Sequence, residues 1–136
     1  MFVGIVGSRR RDTPEDLKIV RNALLLILSE TEEKVILVSG ACPKGADRFA
    51  EILARELGLP IILHKPKFNE MKSNTTWEYA RVCYERNTLI AKDSDILIAC
   101  VAADRKGGTE DTIKKFKNFK KHFAHLGMKL PRLVIV

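Results

Sequence analysis

Short apolar runs alternate along the chain with longer segments in which apolar residues recur every three or four positions. The runs occupy residues 2–6, 34–38, 60–64, 95–101 and 133–136. A continuous apolar run of roughly four to eight residues is typical of a strand in a parallel sheet, because helices cover both of its faces. The pattern therefore predicts five buried strands.

Two helices are predicted among the first three strands. Thr13 is a candidate N-cap with Pro14 at the first helical position, and this helix is expected to end within residues 30–33. The next helix follows Gly45 and is stopped by Gly58 and Pro60.

Two more helices are predicted after residues 65–76, which carry no periodic signal and form the longest loop. The third helix has its periodic residues at Trp77, Ala80, Tyr84, Thr88 and Ala91. The fourth follows Gly107 and Gly108, ends near Gly127, and carries Ile113, Phe116, Phe119 and Phe123 on one face.

The predicted elements form four successive β-α units followed by a final strand. This order indicates a Rossmann-like α/β fold. We expect a three-layer α/β/α sandwich with a mostly parallel five-stranded sheet in the order 3-2-1-4-5. The length of 136 residues fits one domain that spans 1–136. In such sheets ligands bind beyond the carboxyl ends of the strands, where the loops after strands 1 and 4 meet.

Composition narrows the function classes. No apolar run approaches the roughly 20 residues that span a bilayer, and the start does not resemble a signal peptide, so we expect a cytoplasmic protein with no membrane partner. The three scattered cysteines predict neither a disulfide framework nor a metal site. A net charge of +7 permits a nucleotide, nucleic acid or acidic protein as partner without choosing among them.

The loop after the first strand is the first candidate for ligand binding. Gly7 permits a tight turn, Ser8 offers a hydroxyl, and the three arginines that follow suit phosphate or carboxylate groups. We expect Arg9 to face the ligand, and Arg10 and Arg11 to be more solvated. A plain basic surface turn is the alternative.

The loop after the second strand contains Ser39, Gly40, Ala41 and Gly45, and its two glycines would let backbone N–H groups approach an anion. Asp47 is a candidate acceptor for a sugar or base, or a simple helix cap.

The loop after the fourth strand offers the best phosphate site. Gly107, Gly108 and Thr109 stand at the start of a helix, where N–H donors are unpaired and the helix dipole is positive. Thr109 is also compatible with an ordinary N-cap. Spacing alone places Glu85, Arg86 and Asn87 on a solvated helix face.

Together these residues form a recognisable series of motifs. In chain order they are Gly7-Ser8-Arg9, Ser39-Gly40-Ala41 with Ala46-Asp47, Glu85-Arg86-Asn87, Asp95, and Gly108-Thr109 followed by Thr112 or Ile113. Their order and spacing resemble the SLOG superfamily, especially its small bacterial and phage YspA-like branch. Two extra residues between Ala41 and Gly45, and the long loop before Trp77, depart from the common pattern.

The resemblance implies a Rossmann-like domain that binds a nucleotide, a nucleotide sugar or an NAD- or ADP-ribose-like molecule as a sensor or binding module. It adds Arg86 and Asn87 to the candidate pocket residues. Members of the superfamily often form dimers, so a homodimer is compatible with the resemblance, while the sequence leaves the oligomeric state open.

A sister branch of the superfamily, the LOG enzymes, suggests an alternative function. LOG enzymes hydrolyse nucleoside 5′-monophosphates to free base and ribose 5-phosphate with an arginine and the glutamate of a motif similar to Pro-Gly-Gly-x-Gly-Thr-x-x-Glu. Thr112 occupies that glutamate position here. A phosphoribohydrolase would therefore have to use Arg86 with Glu110 or Asp111, which point elsewhere on the helix because each residue turns about 100°.

A second alternative is single-stranded DNA binding, since DprA-like DNA-processing proteins have a similar fold. It rests on the lysines of the fourth helix, which are Lys114, Lys115, Lys117, Lys120 and Lys121.

Overall fold

The computed structural model describes residues 1–125 and 132–136, with the backbone alone for 122–125. Its single sheet has five strands in the order β3-β2-β1-β4-β5, and every neighbouring pair is parallel. The strands are β1 (Phe2–Gly7), β2 (Ile36–Ser39), β3 (Ile61–Leu63), β4 (Ile96–Cys100) and β5 (Arg132–Ile135). The predicted order is confirmed, and the sheet is wholly rather than mostly parallel.

Four α-helices connect the strands, namely α1 (Pro14–Glu30), α2 (Ala46–Leu57), α3 (Thr76–Asp93) and α4 (Gly108–His125). Thr13 caps α1, since its hydroxyl accepts from the Asp16 N–H at 3.1 Å and the Asp16 carboxylate accepts from the Thr13 N–H at 3.3 Å. Gly58 ends α2 in a left-handed conformation with φ 65°. None of the described helices combines the length and apolar character needed to cross a membrane.

The helices cover the sheet on both faces, because successive strand side chains point to opposite sides. Val3 and Ile5 of β1 are buried with α1 and α2, while Val6 is buried with α3 and α4. The largest buried side chains in the two clusters are Phe49 and Phe116, respectively. This arrangement is the predicted three-layer sandwich.

The predicted register of α3 is wrong at Trp77 and Tyr84, although Ala91 is buried as predicted. Trp77 is 70% exposed and Tyr84 is 48% exposed, whereas the buried residues are Glu78, Val82, Asn87, Ile90 and Ala91. Polar Glu78 and Asn87 are turned inward because each finds hydrogen-bond partners there. The side chain of Phe123 and the predicted helix end at Gly127 lie outside the described residues.

Residues 65–76 contain more regular structure than the absence of periodicity in their sequence indicates. They contain a short 3-10 helix at Phe68–Glu70, and Thr75 caps α3 by accepting from the Glu78 N–H at 3.2 Å. The segment is therefore built onto the amino-terminal turn of α3.

The carboxyl ends of β1 and β4 meet at the centre of the sheet edge. Gly7 pairs with Cys100, and the Ser8 N–H donates to the Cys100 carbonyl at 2.9 Å. A Cβ on Gly7 would lie 2.6 Å from the Ala46 Cβ and 2.8 Å from the Cys100 Cβ. The two strands and the start of α2 can therefore come together only at a glycine.

Replacing Gly7 with alanine tests this close approach. We expect Gly7→Ala to lower the free energy of unfolding by about 1–3 kcal/mol, because the colliding atoms belong to backbone-fixed groups that cannot move aside. Chemical denaturation measures the change. Gly108→Ala is the control, since its new Cβ meets only Asn87 Nδ2 at 3.9 Å, and equal destabilisation by both substitutions would contradict the argument.

Candidate functional site

The carboxyl ends of β1 and β4 open into a cleft of about 540 Å³, called here the main cleft. It is lined by residues 6–10, Cys42, Asp47, one side of α3 between residues 79 and 90, residues 106–109 and Thr112. A volume of this size lies within the range of ligand pockets, roughly 300–1,000 Å³. The main cleft therefore lies at the predicted switch point.

The three arginines after β1 have three different surroundings. Arg9 lines the main cleft and donates to the Tyr79 hydroxyl at 3.4 Å. Arg10 is exposed, and it ties two loops together through paired hydrogen bonds of 2.6 and 2.9 Å to the Asp104 carboxylate and one of 3.1 Å to the Lys106 carbonyl. The hydrogen bond from Arg10 also holds the pKa of Asp104 below its ordinary value.

Arg11 is not solvated, so that expectation is wrong. Its side chain is only 22% exposed, and it donates to the carbonyls of Val101 at 3.1 Å and Val136 at 2.7 Å and to the Asp16 carboxylate at 2.9 Å. Backbone carbonyls at the ends of strands need hydrogen-bond donors. Arg11 is the donor to the carbonyls that follow β4 and β5. It acts as a structural residue outside the cleft.

Gly107, Gly108 and Thr109 line the main cleft at the start of α4. Gly107 has φ 120°, which favours glycine, and α4 begins at Gly108. Thr109 is thus within the first turn of α4, so the alternative that it is an ordinary N-cap is wrong. The first N–H groups of a helix lack intrahelical partners and lie at its positive end, so this turn can hold an anion.

The loop before α4 is shaped by Arg105, which has φ 54°. Its guanidinium forms two hydrogen bonds to Glu110, at 2.6 and 3.0 Å. Asp111 accepts from Asn87 Nδ2 at 3.2 Å and lies 2.9 Å from Lys115 Nζ. Neither Glu110 nor Asp111 lines the main cleft, and Asp47 is the only carboxylate in its described lining.

Arg86 and Asn87 are turned into the protein, so the solvated face predicted for them from spacing is wrong. Arg86 Nη1 donates to the Gly40 carbonyl at 2.5 Å, and its Nε donates to Asn87 Oδ1 at 3.0 Å. Asn87 Nδ2 in turn donates to the Gly108 carbonyl at 3.3 Å. Both residues line the main cleft, whereas Glu85 is exposed and pairs with Arg81.

Ser39, Gly40 and Ala41 shape the loop after β2 and do not line the main cleft. Ser39 is fully buried, with its hydroxyl 3.4 Å from the Asp47 carbonyl. A Cβ on Gly40 would collide with the Arg86 guanidinium, and Ala41 has φ 61°. These residues support the groups that face the ligand space.

Asp47 lines the main cleft and does not cap α2, because Gly45 stands at the cap position without a side-chain hydrogen bond. Its Oδ2 accepts from the Cys42 N–H at 3.0 Å and lies 4.0 Å from Arg86 Nη1. Burial raises the pKa of the Asp47 carboxyl, while the Cys42 N–H and the charge of Arg86 act in the opposite direction.

The sequence pattern did not predict the aromatic wall that α3 presents to the main cleft. Tyr79, Ala80, Cys83 and Tyr84 face the main cleft together, one helical turn apart. The available signal was the presence of three aromatic residues in α3, which are Trp77, Tyr79 and Tyr84. Lys115 supports this wall, because its Nζ lies 5.6 Å from the centroid of the Tyr84 ring and donates to the Tyr84 carbonyl at 2.7 Å.

The lysines of α4 do not form one uniform face. Lys114, Lys117 and Lys121 are exposed, whereas Lys115 pairs with Asp111 and Lys120 is partly buried. In the described part of the chain, no three His, Cys, Asp or Glu residues are close enough to hold a metal ion.

The raised pKa of Asp47 predicts a pH dependence of stability. Because the folded protein binds this proton more tightly than the unfolded chain, the stabilisation is full below the ordinary pKa of 3.8 and is lost as the pH rises through the raised value. The free energy of unfolding of the protein minus that of Asp47→Asn should therefore fall with rising pH from about pH 3.8 upward.

Asp12→Asn is the control of opposite sign. The Gly45 N–H and the Arg48 guanidinium lower the pKa of Asp12, so the corresponding difference should grow as the pH rises from the lowered pKa toward 3.8. Denaturant unfolding across this pH range measures both differences. A rising difference for Asp47→Asn would show that the Arg86 charge outweighs burial.

Comparisons of the chain with protein-family models, curated proteins and solved structures found no match. The resemblance to the SLOG superfamily thus rests on the motifs in the sequence and stays a prediction. The fold and the geometry of the main cleft carry the argument about function.

Proposed function

We propose that the chain binds a nucleotide or nucleotide derivative in the main cleft, as a binding or sensing module. The observation that carries this proposal is that one end of the main cleft suits a phosphate group and the other end suits an aromatic base. The amino-terminal turn of α4, with Arg9 and Lys106, suits phosphate, and the wall of Tyr79 and Tyr84 suits an aromatic base.

The phosphate end combines several independent attractions. Gly107 and Gly108 allow close approach to backbone N–H groups, and the dipole of an 18-residue helix places partial positive charge there. Arg10, although paired with Asp104, holds the loops after β1 and β4 in place. An anion would thus meet donors that are already positioned before it binds.

The nucleoside end supplies stacking surface and an acceptor. Tyr79 and Tyr84 are both more than 40% exposed, so a planar base can lie against them without displacing core residues. Asp47 Oδ2 accepts from the Cys42 N–H, and the carboxylate is part of the lining of the main cleft. Ribose hydroxyls and base amino groups are the donors that a carboxylate oxygen would accept from.

Binding without turnover is favoured over N-glycosidic hydrolysis by the pairing of the candidate carboxylates. Glu110 is held by Arg105, and Asp111 by Asn87 and Lys115. Arg86 is likewise engaged with Gly40 and Asn87. A hydrolase that used Arg86 with either carboxylate would first have to break the contacts of both of its catalytic groups.

Thr109→Glu tests the phosphate site. A carboxylate in the first turn of α4 favours the helix, so stability without ligand should be unchanged or higher, while nucleotide affinity should fall at least about ten-fold through charge repulsion. Thermal shift with nucleoside mono-, di- and triphosphates measures binding, since ligand at 100 times its Kd adds about 2.7 kcal/mol of stability.

Asn118→Glu is the matched control, because it makes the same change in net charge on the exposed side of α4. It should bind like the unchanged protein. Equal loss of affinity in both variants would indicate general attraction to a basic surface, and no thermal shift with any nucleotide would remove the proposal.

A turnover assay tests the choice of binding over hydrolysis. We expect no release of free base when AMP, CMP, GMP and UMP are incubated with the protein and analysed by liquid chromatography, since the cleft lacks an available carboxylate at α4. Base release faster than in a protein-free control would favour the phosphoribohydrolase instead.

A further inference from the structure

A second depression adjoins the main cleft and shares Tyr79 with it. This side pocket has a volume of about 580 Å³ and is lined by Phe68, Met71, Asn74, Thr75, Thr76 and Tyr79. It lies over residues 65–76, the segment between β3 and the first turn of α3. Tyr79 therefore borders both the side pocket and the main cleft.

Phe68 and Tyr79 form a stacked pair at the boundary between the two spaces. Their ring centroids are 5.3 Å apart with 15° between the ring planes, and the two residues remain 46% and 42% exposed. Single exposed aromatic residues are common, but a stacked pair beside a polar rim is a surface on which a further planar ring can lie.

The side pocket is held in place before any ligand binds. Glu78 is buried, accepts from the Lys72 N–H at 3.2 Å and pairs with Arg81 at 3.0 Å, which clamps the loop onto α3. The Met71 N–H donates to the Phe68 carbonyl at 3.2 Å. A ligand would therefore not have to order this loop.

The charge distribution separates the two spaces. Arg9, Arg86 and Lys106 line the main cleft, whereas the described lining of the side pocket contains no charged side chain. Its polar groups are amide and hydroxyl, with the Thr75 hydroxyl already accepting from the Glu78 N–H. An uncharged planar group with polar edges fits the side pocket. Any phosphates of the same ligand would lie in the main cleft.

We propose that the side pocket takes the second nucleoside of a dinucleotide, a molecule in which two nucleosides are joined through a pyrophosphate. This inference rests on the proposed function and names the ligand class. The first nucleoside and the pyrophosphate occupy the main cleft, and the second base stacks on Phe68. A single strand fits less well, because its next phosphate would enter a space that lacks cationic side chains.

Calorimetric titration of diadenosine diphosphate and ADP-ribose tests the assignment, since ADP-ribose has the same pyrophosphate and second ribose but no second base. The protein should bind diadenosine diphosphate about ten-fold more tightly, as expected for one stacked base. Phe68→Ala should abolish this difference and leave the ADP-ribose affinity unchanged, and Phe68→Trp should restore it.

Trp77→Ala is the control, because Trp77 is an exposed aromatic residue of α3, the helix that carries Tyr79, but it does not line the side pocket. It should keep the ten-fold preference. Equal affinity for the two ligands in the unchanged protein, or equal weakening of both by Phe68→Ala, would overturn the side-pocket assignment and leave nucleotide binding intact.

Titration of single-stranded oligothymidylate tests whether the stacked bases come from a nucleic acid instead of a dinucleotide. Tighter binding of single-stranded oligothymidylate than of diadenosine diphosphate, lost in Phe68→Ala, would overturn the dinucleotide assignment in favour of a nucleic acid. Failure of ADP-ribose and of all mononucleotides to bind would instead contradict the proposed function itself.

Discussion

The charge of Arg86 is the constraint on which the architecture of the cleft depends. Its side chain is only 12% exposed, and a guanidinium stays protonated in proteins, so every contact around it must satisfy a charged donor. The Gly40 carbonyl, Asn87 and the nearby Asp47 carboxylate do so. The loop after β2 bends around this group, which explains a glycine at position 40. Through Asn87, the same contacts reach the first turn of α4.

This arrangement separates the residues that build the cleft from those that would meet a ligand. Ser39, Gly40 and Ala41 hold the loop, Arg11 joins strand ends, and Arg10 joins the loops after β1 and β4. Arg9, Asp47, Tyr79 and the turn 107–109 keep atoms directed into the open space. Loss of binding in an Arg86 variant would therefore not distinguish a ligand contact from collapse of the loop, because its partners are structural groups.

The fold could be predicted almost completely from the sequence, whereas the site could be predicted only in outline. Apolar runs, the Thr13 cap and the Gly58 stop are local signals, and right-handed crossovers leave few orders for the strands. The strand order in turn predicted which loops meet at the cleft. The inward orientation of Arg86 and Asn87 did not, because a polar residue within a helix is solvated or buried according to what packs against it. The register of α3 was mispredicted for the same reason.

The sequence by itself determined the strands, the helices, the sheet order and the edge where the cleft opens, since these follow from periodicity, caps and chain handedness. Only the tertiary structure decided which carboxylate faces the cleft. Asn87, distant in sequence, donates to Asp111, while Asp47 lines the cleft beside Arg86. It also decided that Phe68 and Tyr79 stack beside the cleft. Such pairings depend on distances between separate elements, which no local pattern of residues specifies.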